Sequence, residues 1–337
     1  MKLLIFEYAT AVGIENPTIA VEGQYMLEGL LNDLKNAGAN YITPENSRIK
    51  NNFNGFNPII MDKELFSWLD ENITSFDACL PVAPEEDHIL YEITKILEEK
   101  DVDIIGSSSD AVLACSDKFE TYNLLKDSFP MIRCEKVFFS YLKNYKNLFA
   151  HGKKMLVKPA DGVSCSGVRI VRSYADFIKA SAHLKRTTKL PFFLLQDYVE
   201  GISTSVSILS TGKEAMPLSL NLQNIGLDNG IFYYKGGEVP YEHEFSDEAK
   251  YIAKRAVESV DGLKGYVGVD LLLDESKDEI YILEINPRLT TSYVALRRIL
   301  NFNLGNAIVD AVYGILPPEI EFKGSSSFLK EDKIRFK

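Results

Sequence analysis

Hydrophobic and polar positions follow two different periods along this chain, and the change from one to the other divides it. Residues 2–13 (KLLIFEYATAVG) begin with an unbroken apolar run from Leu3 to Phe6 before a turn. Such a run predicts a short strand buried on both faces. In 18–38 (TIAVEGQYMLEGLLNDLKNAG) the apolar residues Tyr25, Met26, Leu30, Leu31 and Leu34 fall on one helical face, with Gly38 placed to close the helix. Residues 77–82 (DACLPV) predict a second buried strand, followed by an acidic turn and a helix over 87–100 with Asp87 as its cap. A third strand and a Ser-rich turn follow in 102–112 (VDIIGSSSDAV). Alternating strands and helices predict βαβ units on a parallel sheet, so residues 1–114 are expected to form an open α/β domain. Within it, 51–58 (NNFNGFNP) reads as a surface loop.

From residue 115 the texture is that of antiparallel pairs. Residues 154–171 (KMLVKPADGVSCSGVRIV) read as two strands around a long glycine-bearing loop, and 191–210 as two strands kinked at Glu200 and Gly201. Residues 265–288 (GYVGVDLLLDESKDEIYILEINPR) predict a hairpin turning at DESKDE, and 246–265 a capped amphipathic helix. The expected division is two α+β lobes, 115–190 and 191–322, and a loosely attached polar tail over 323–337.

Composition narrows the function. The 337 residues are 46% hydrophobic and 25% charged, a globular balance long enough for two or three packed units. A net charge of −11 argues against a nucleic-acid surface, so any basic residue that matters must be individually placed. Cys79, Cys115, Cys134 and Cys165 show no CxxC spacing, and His88, His151, His183 and His243 stand as far apart, which argues against zinc and for idle thiols in a reducing compartment. Neither an export signal nor an apolar run of about 18 residues is present, so a soluble, cytoplasmic protein is expected.

The candidate chemistry concentrates in the last hairpin. If DESKDE is its turn, Asp270 and Glu284 can project from one sheet face, with Asn286 and then Arg288 following Glu284 at intervals of two. Oxygen ligands of this kind suit Mg²⁺, and an arginine beside them can hold charge that develops in a transition state. The plainer reading is the solvated face of an ordinary hairpin, which a lone carboxylate would favour. Lys158 ends an apolar strand before Asp161-Gly162-Val163-Ser164-Cys165-Ser166-Gly167, a loop able to offer backbone N–H groups to phosphates. Gln196 to Val199 ends another strand with free backbone edges, and Lys118 opens a helix. Each fragment alone reads as ordinary structure.

In this order the fragments resemble the ATP-grasp superfamily. The resemblance implies an N-terminal parallel-sheet (pre-ATP-grasp) domain and two α+β lobes closing on ATP. It implies phosphate contacts from Lys118 and Lys158 and a lid carrying Gly162, Ser164, Ser166 and Gly167. Adenine would meet Gln196, Asp197, Tyr198 and Val199, and Mg²⁺, or Mn²⁺ in its place, would bind Asp270, Glu284 and Asn286. Residues 226–237 resemble a second lid loop, from which Lys235 would reach the terminal phosphate. One departure is Ser203, where many members hold the ribose with a glutamate; Glu200 is the alternative. Arg288 and Lys158 are the implied catalytic residues.

The strings FEYATAVG, VAPEEDHILYEITKILEE, IIGSSSDAVLACSDK, YVEGISTSVSIL and EINPRLTTSY are similar to the tyramine–L-glutamate ligase family of methanofuran biosynthesis. That similarity implies a small-molecule carboxylate and amine, with glutamate activated at its γ-carboxylate and attacked by tyramine. Glu7 or Glu85 would accept the amine's proton, Tyr8, Tyr293 and Arg297 would line the substrate cleft, and Asn221, Gln223 and Asn224 would grip phosphate or substrate. By analogy a homodimer is expected, with no nucleic-acid or membrane partner. The alternatives are a ligase for another amino acid and amine, a phosphotransferase that stops after phosphoryl transfer, and a nucleotide-binding regulator.

Overall fold

The structure is a computed structural model describing residues 1–14, 16–44, 53, 56, 58–150, 152–162, 165–330 and 334–336. Most of the expected 51–58 loop, and Ser164 of the lid, lie outside the described residues.

The N-terminal part alternates β1 (Leu3–Glu7), α1 (Tyr8–Val12), α2 (Pro17–Asp33), β2 (Ala39–Pro44), β3 (Pro58–Met61), α3 (Leu65–Asn72), β4 (Ala78–Val82), α4 (Ile89–Glu99), β5 (Asp103–Ile104), α5 (Ser109–Ser116) and α6 (Lys118–Leu125). Its strands form a parallel sheet in the order β3-β2-β1-β4-β5. The apolar run of β1 is explained by its two faces. Leu3 and Ile5 pack with Leu27, Leu30 and Leu31 of α2 and Leu34 just after it, while Leu4 and Phe6 pack with Trp68, Leu69, Leu90 and Ile93 of α3 and α4. Each such side chain contributes roughly 1.5–3 kcal/mol, enough to hold α2 helical despite Gly23 and Gly29. Gly23 is required: a Cβ there would sit 2.3 Å from the Glu7 carboxylate.

Local signals bent in two places. The turn after β1 is α1, because the Glu7 side chain accepts from the N–H groups of Ala9 and Thr10 and so caps it. Asp87 does not cap α4. It adopts a left-handed φ of 54° and its carboxylate instead takes Lys189 at 2.7 Å.

The second part forms one long sheet. The smaller lobe holds β6 (Cys134–Phe138), β7 (Met155–Lys158), β8 (Arg169–Val171), α7 (Tyr174–Thr187) and β9 (Phe192–Asp197). The larger holds β10 (Ile202–Thr211), β11 (Ala215–Asp228), β12 (Ile231–Val239), α8 (Ser246–Glu258), β13 (Lys264–Asp274) and β14 (Glu279–Asn286). Because β9 pairs with β6 and β7, the lobe break expected at 190/191 falls instead at the 198–201 connection. There a Cβ on Gly201 would meet the Leu273 carbonyl at 2.4 Å, so only glycine lets the chain turn onto the β13 edge. Residues 226–237 are not a lid loop but the paired arms of the β11–β12 hairpin.

After β14 come α9 (Ser292–Leu296), α10 (Leu304–Val312), β15 (Ser326–Lys330) and β16 (Ile334–Phe336). The tail is not loose: β15 pairs with β12 and β16, and Phe328 and Ile334 are buried. Its alternating Ser-Phe-Leu-Lys pattern was a strand signal obscured by the flanking charges. The two parts share a core, in which α2 packs against Tyr293, Leu296, Leu304 and Ile308. Asp33 at the end of α2 accepts from Tyr293 Oη at 2.6 Å and Arg297 Nε at 3.0 Å. Tyr293 and Arg297 thus clamp the two parts together and do not line a substrate cleft.

Candidate active site

Between the lobes lies a cleft of about 340 Å³, within the range of small-ligand pockets. Its walls bring together Lys118, Lys158, Gly162, Gln196, Tyr198, Val199, Ser203, Asp270 and Glu284, drawn from both lobes and α6.

Asp270 and Glu284 are directly opposed across the β13–β14 pair, and Asn286 opposes Gly268 one step along the same face. The register slips beyond Asp270, so Leu283 is an extra residue on β14, and Leu283 and Glu284 both face the cleft. Asn286 hydrogen-bonds the Asp270 carboxyl, and Gln223 Nε2 donates to Asp270 Oδ1 at 3.0 Å. Burial, and then the charge of Glu284, push Asp270 well above the usual carboxylate range. Burial also works to raise Glu284, but the Lys118 ammonium overrides it and holds Glu284 low. Two crowded carboxylates with an amide behind them fit a divalent cation, whose charge would relieve their repulsion. Among the described residues no group of three or more His, Cys, Asp and Glu side chains offers another metal site.

The two lysines differ in kind. Asp117 caps α6 and fixes its first turn, from which Lys118 Nζ reaches the Gly162 carbonyl at 2.5 Å and Glu284 at 2.9 Å. Lys158, at the end of β7, is buried and has no hydrogen bond or ion pair among the described residues. Burial and the like charge of Lys118 hold its pKa down. A buried ammonium lining a ligand cleft suits an anion such as phosphate.

The far end is apolar, walled by Ile132, Leu156, Leu272 and Leu283 beside the Tyr198–Val199 backbone, which suits a flat base. Gln196 lies there with its amide donating to the Ile132 carbonyl, whereas the Asp197 carboxylate turns out to Lys153 at 2.6 Å. Ser203 and Glu200 both border the cleft. Gly167 holds a left-handed φ of 74° in the lid, and Ser166 is exposed.

Lys235 is not brought to the cleft. Ile225 and Phe232 line it, while Lys235 stands on the other face of the hairpin over the Tyr233 ring. Alternation along a paired strand decides this, and it becomes visible only once 226–237 is known to be a hairpin. Asn221 serves the sheet, bonded to Ser205, Ser207 and Ser219. Reading by motif missed Leu272, Leu283 and the support that Gln223 gives Asp270. The bulge that presents Leu283 has no local signature.

Arg288 lies at the junction with the N-terminal part. Its Nε and Nη2 donate to Glu85 Oε2 at 3.0 and 2.8 Å, and Nη1 donates to the Leu289 carbonyl at 3.1 Å. A second N–H remains on each Nη. Glu85 Oε1 is buried with no partner, an acceptor facing the same junction.

Glu7 is sealed beneath Gly23 and bound to the α1 backbone, so its carboxylate does not face a substrate. Burial outweighs those hydrogen bonds and raises its pKa to about 7. With the folded pKa above the unfolded one, its stabilising contribution is complete below about pH 4.5 and is lost as pH rises through about 7. Urea unfolding should therefore show wild type losing on the order of 3 kcal/mol relative to Glu7→Gln between pH 4.5 and 8. A pH-independent difference would mean that Glu7 is ionised throughout.

A pre ATP-grasp domain family matches residues 42–112, and an ATP-grasp domain family matches residues 115–292. Over 308 residues, 88% of this chain, there is 36% identity to the tyramine–L-glutamate ligase of Methanocaldococcus fervens, of which 89% is covered. Identity to the ligase of the same description from Methanocaldococcus jannaschii is 35% over 308 residues, covering 88% of this chain and 84% of that one. The crystal structure of an ATP-grasp superfamily protein from Archaeoglobus fulgidus superposes with a TM-score of 0.71 at 27% identity, covering 98% of this chain and 92% of that one.

Proposed function

The chain belongs to the ATP-grasp ligases, in the family of the tyramine–L-glutamate ligases, and from that premise we propose that it joins the γ-carboxylate of L-glutamate to the amine of tyramine, with ATP cleaved to ADP and phosphate. The observation that carries the reaction is the cleft where the buried Lys158 and the half-buried Lys118 face two crowded carboxylates. The substrate pair is supported by identity to ligases of that description over nearly nine-tenths of the chain. The place implied for it is methanofuran biosynthesis, in the cytoplasm.

Each residue then has a task. Lys158 takes a phosphate of ATP, and Lys118 steadies both the lid at Gly162 and the charge on Glu284. Adenine would lie between Leu156 and Leu272 with its edge on the Tyr198–Val199 backbone, and Ser203 or Glu200 would meet the ribose; all of these residues line the cleft. Mg²⁺ held by Asp270, Glu284 and Asn286 would neutralise the phosphates and make the γ-phosphorus electrophilic. The glutamate carboxylate attacks that phosphorus to give an acyl phosphate, which the 161–167 lid shields from water. The N–H groups left on Arg288 receive the oxyanion formed when tyramine attacks. Glu85, whose buried Oε1 has no partner among the described residues, takes the amine's proton, since the Glu7 carboxylate is bound to the α1 backbone.

ADP release measured across a panel of carboxylates crossed with amines tests the reading. Glutamate with tyramine should give amide and ADP in equal amounts, with little ADP when either is omitted. Amide from another pair only would overturn the substrate assignment while leaving a ligase. A stable phosphorylated product formed without amine would instead mean a phosphotransferase.

A further inference from the structure

The β15 strand carries Lys330, which has a side chain only 6% exposed and pairs with Glu22 of α2. Glu22, 14% exposed, also accepts from Thr291 Oγ1, just beyond the metal-site strand. The pair lies beside the cleft: Thr291 follows the metal-site strand, and Tyr234, next to Lys330, opposes Ile225 of the cleft lining. Lys330 Nζ lies 5.7 Å from the half-buried Tyr234 ring. Its position is built in. A Cβ on Gly236 would meet the Phe328 carbonyl at 2.0 Å, so glycine at this point lets β15 close on β12.

A buried ion pair is a weak source of stability, because desolvation offsets most of its attraction. Its neighbours also leave it a distinct opening. Arg288 is held by Glu85 and Arg297 by Asp33, Lys235 faces away, and Lys118 and Lys158 serve the phosphate end. Lys330 is held in turn by Glu22, but that bond uses one of its three N–H donors, so among the described residues its ammonium keeps two for a ligand. An α-amino acid reacting through its side-chain carboxylate leaves an α-carboxylate at its far end, with an ammonium beside it.

We propose that Lys330 is a specificity-determining residue that binds the α-carboxylate of the amino-acid substrate, with Glu22 holding it in place and facing the α-ammonium. The proposal rests on the reading of an amino acid as the activated carboxylate. The test compares L-glutamate with 4-aminobutyrate, which keeps the reacting carboxylate and the amino group but lacks the α-carboxylate. In Lys330→Met the KM for glutamate should rise on the order of 30- to 100-fold while the KM for ATP holds. The kcat/KM for 4-aminobutyrate should barely change, so the preference for glutamate collapses, and Lys330→Arg should recover much of it. Equal losses on both substrates, or a lowered melting temperature with the preference intact, would reduce Lys330 to a structural staple. If wild type makes no amide from glutamate, the substrate pair fails, not this proposal. The same comparison then runs on the α-amino acid the panel returns and its decarboxylated analogue. A panel that returns a carboxylate with no α-carboxylate overturns the role of Lys330.

Discussion

Asp270→Asn is expected to abolish turnover while leaving the protein at least as stable as wild type. The two effects have opposite signs for one reason. In the protein alone, Asp270 is crowded by Glu284 and buried, so its charge is unfavourable. An amide of the same shape removes that repulsion and can still accept from Gln223. Its melting temperature should match or exceed that of wild type. A raised carboxylate pKa means that wild type loses this contribution as pH rises, so the advantage of Asp270→Asn should widen toward alkaline pH. Turnover needs the charge, because a cation shared with phosphates is held by carboxylates, and ADP release should fall by on the order of 10³-fold. Glu284→Gln should be as inactive but less stable, since it breaks the 2.9 Å contact with Lys118 and leaves that half-buried ammonium without its main partner. Full activity in either variant would remove the metal role from this hairpin. Two equally destabilised variants would mean that their inactivity reports misfolding.

What could be read beforehand divides along physical lines. The β13–β14 pair was legible because alternation and a polar turn fix which residues share a face, and Asp270 does oppose Glu284. The parallel N-terminal sheet was legible because a run such as Leu3–Phe6 has no other economical use. What escaped depends on partners distant in sequence. Arg297 and Tyr293 resemble cleft residues until Asp33, on the other domain, is seen to hold both. Lys235 was expected on a lid loop by resemblance alone. The segment is instead a paired hairpin, and Gly236 beside Lys235 admits a third strand, the tail's, against β12. The tail was misjudged for the same reason: its buried Phe328 and Ile334 gain their value only from that shared core.

Arg288 offers the sharpest separation of the two half-reactions, because the groups that handle ATP do not include it. Arg288→Met should cut amide formation by on the order of 10²- to 10³-fold, the usual cost of losing an oxyanion donor. Reversible phosphoryl transfer to glutamate should persist, read as positional exchange of ¹⁸O between the bridging and non-bridging positions of the ATP β-phosphate when amine is absent. The substitution also strands Glu85, whose Oε2 loses both guanidinium contacts and whose Oε1 already has no partner. That should cost about 3–5 kcal/mol of stability, so a loss of activity alone would be ambiguous. Arg288→Met combined with Glu85→Gln removes the stranded charge and should recover most of the stability, while amide formation, read against Glu85→Gln alone because Glu85 also takes the amine's proton, should fall further. Lysine at 288 should keep the stability, since it preserves a charge for Glu85, yet recover only part of the rate, because a point charge cannot serve Glu85 and an oxyanion with separate N–H groups. If isotope exchange and amide formation fall together in the stable double variant, Arg288 acts before the acyl phosphate forms, and the oxyanion must be held by other donors.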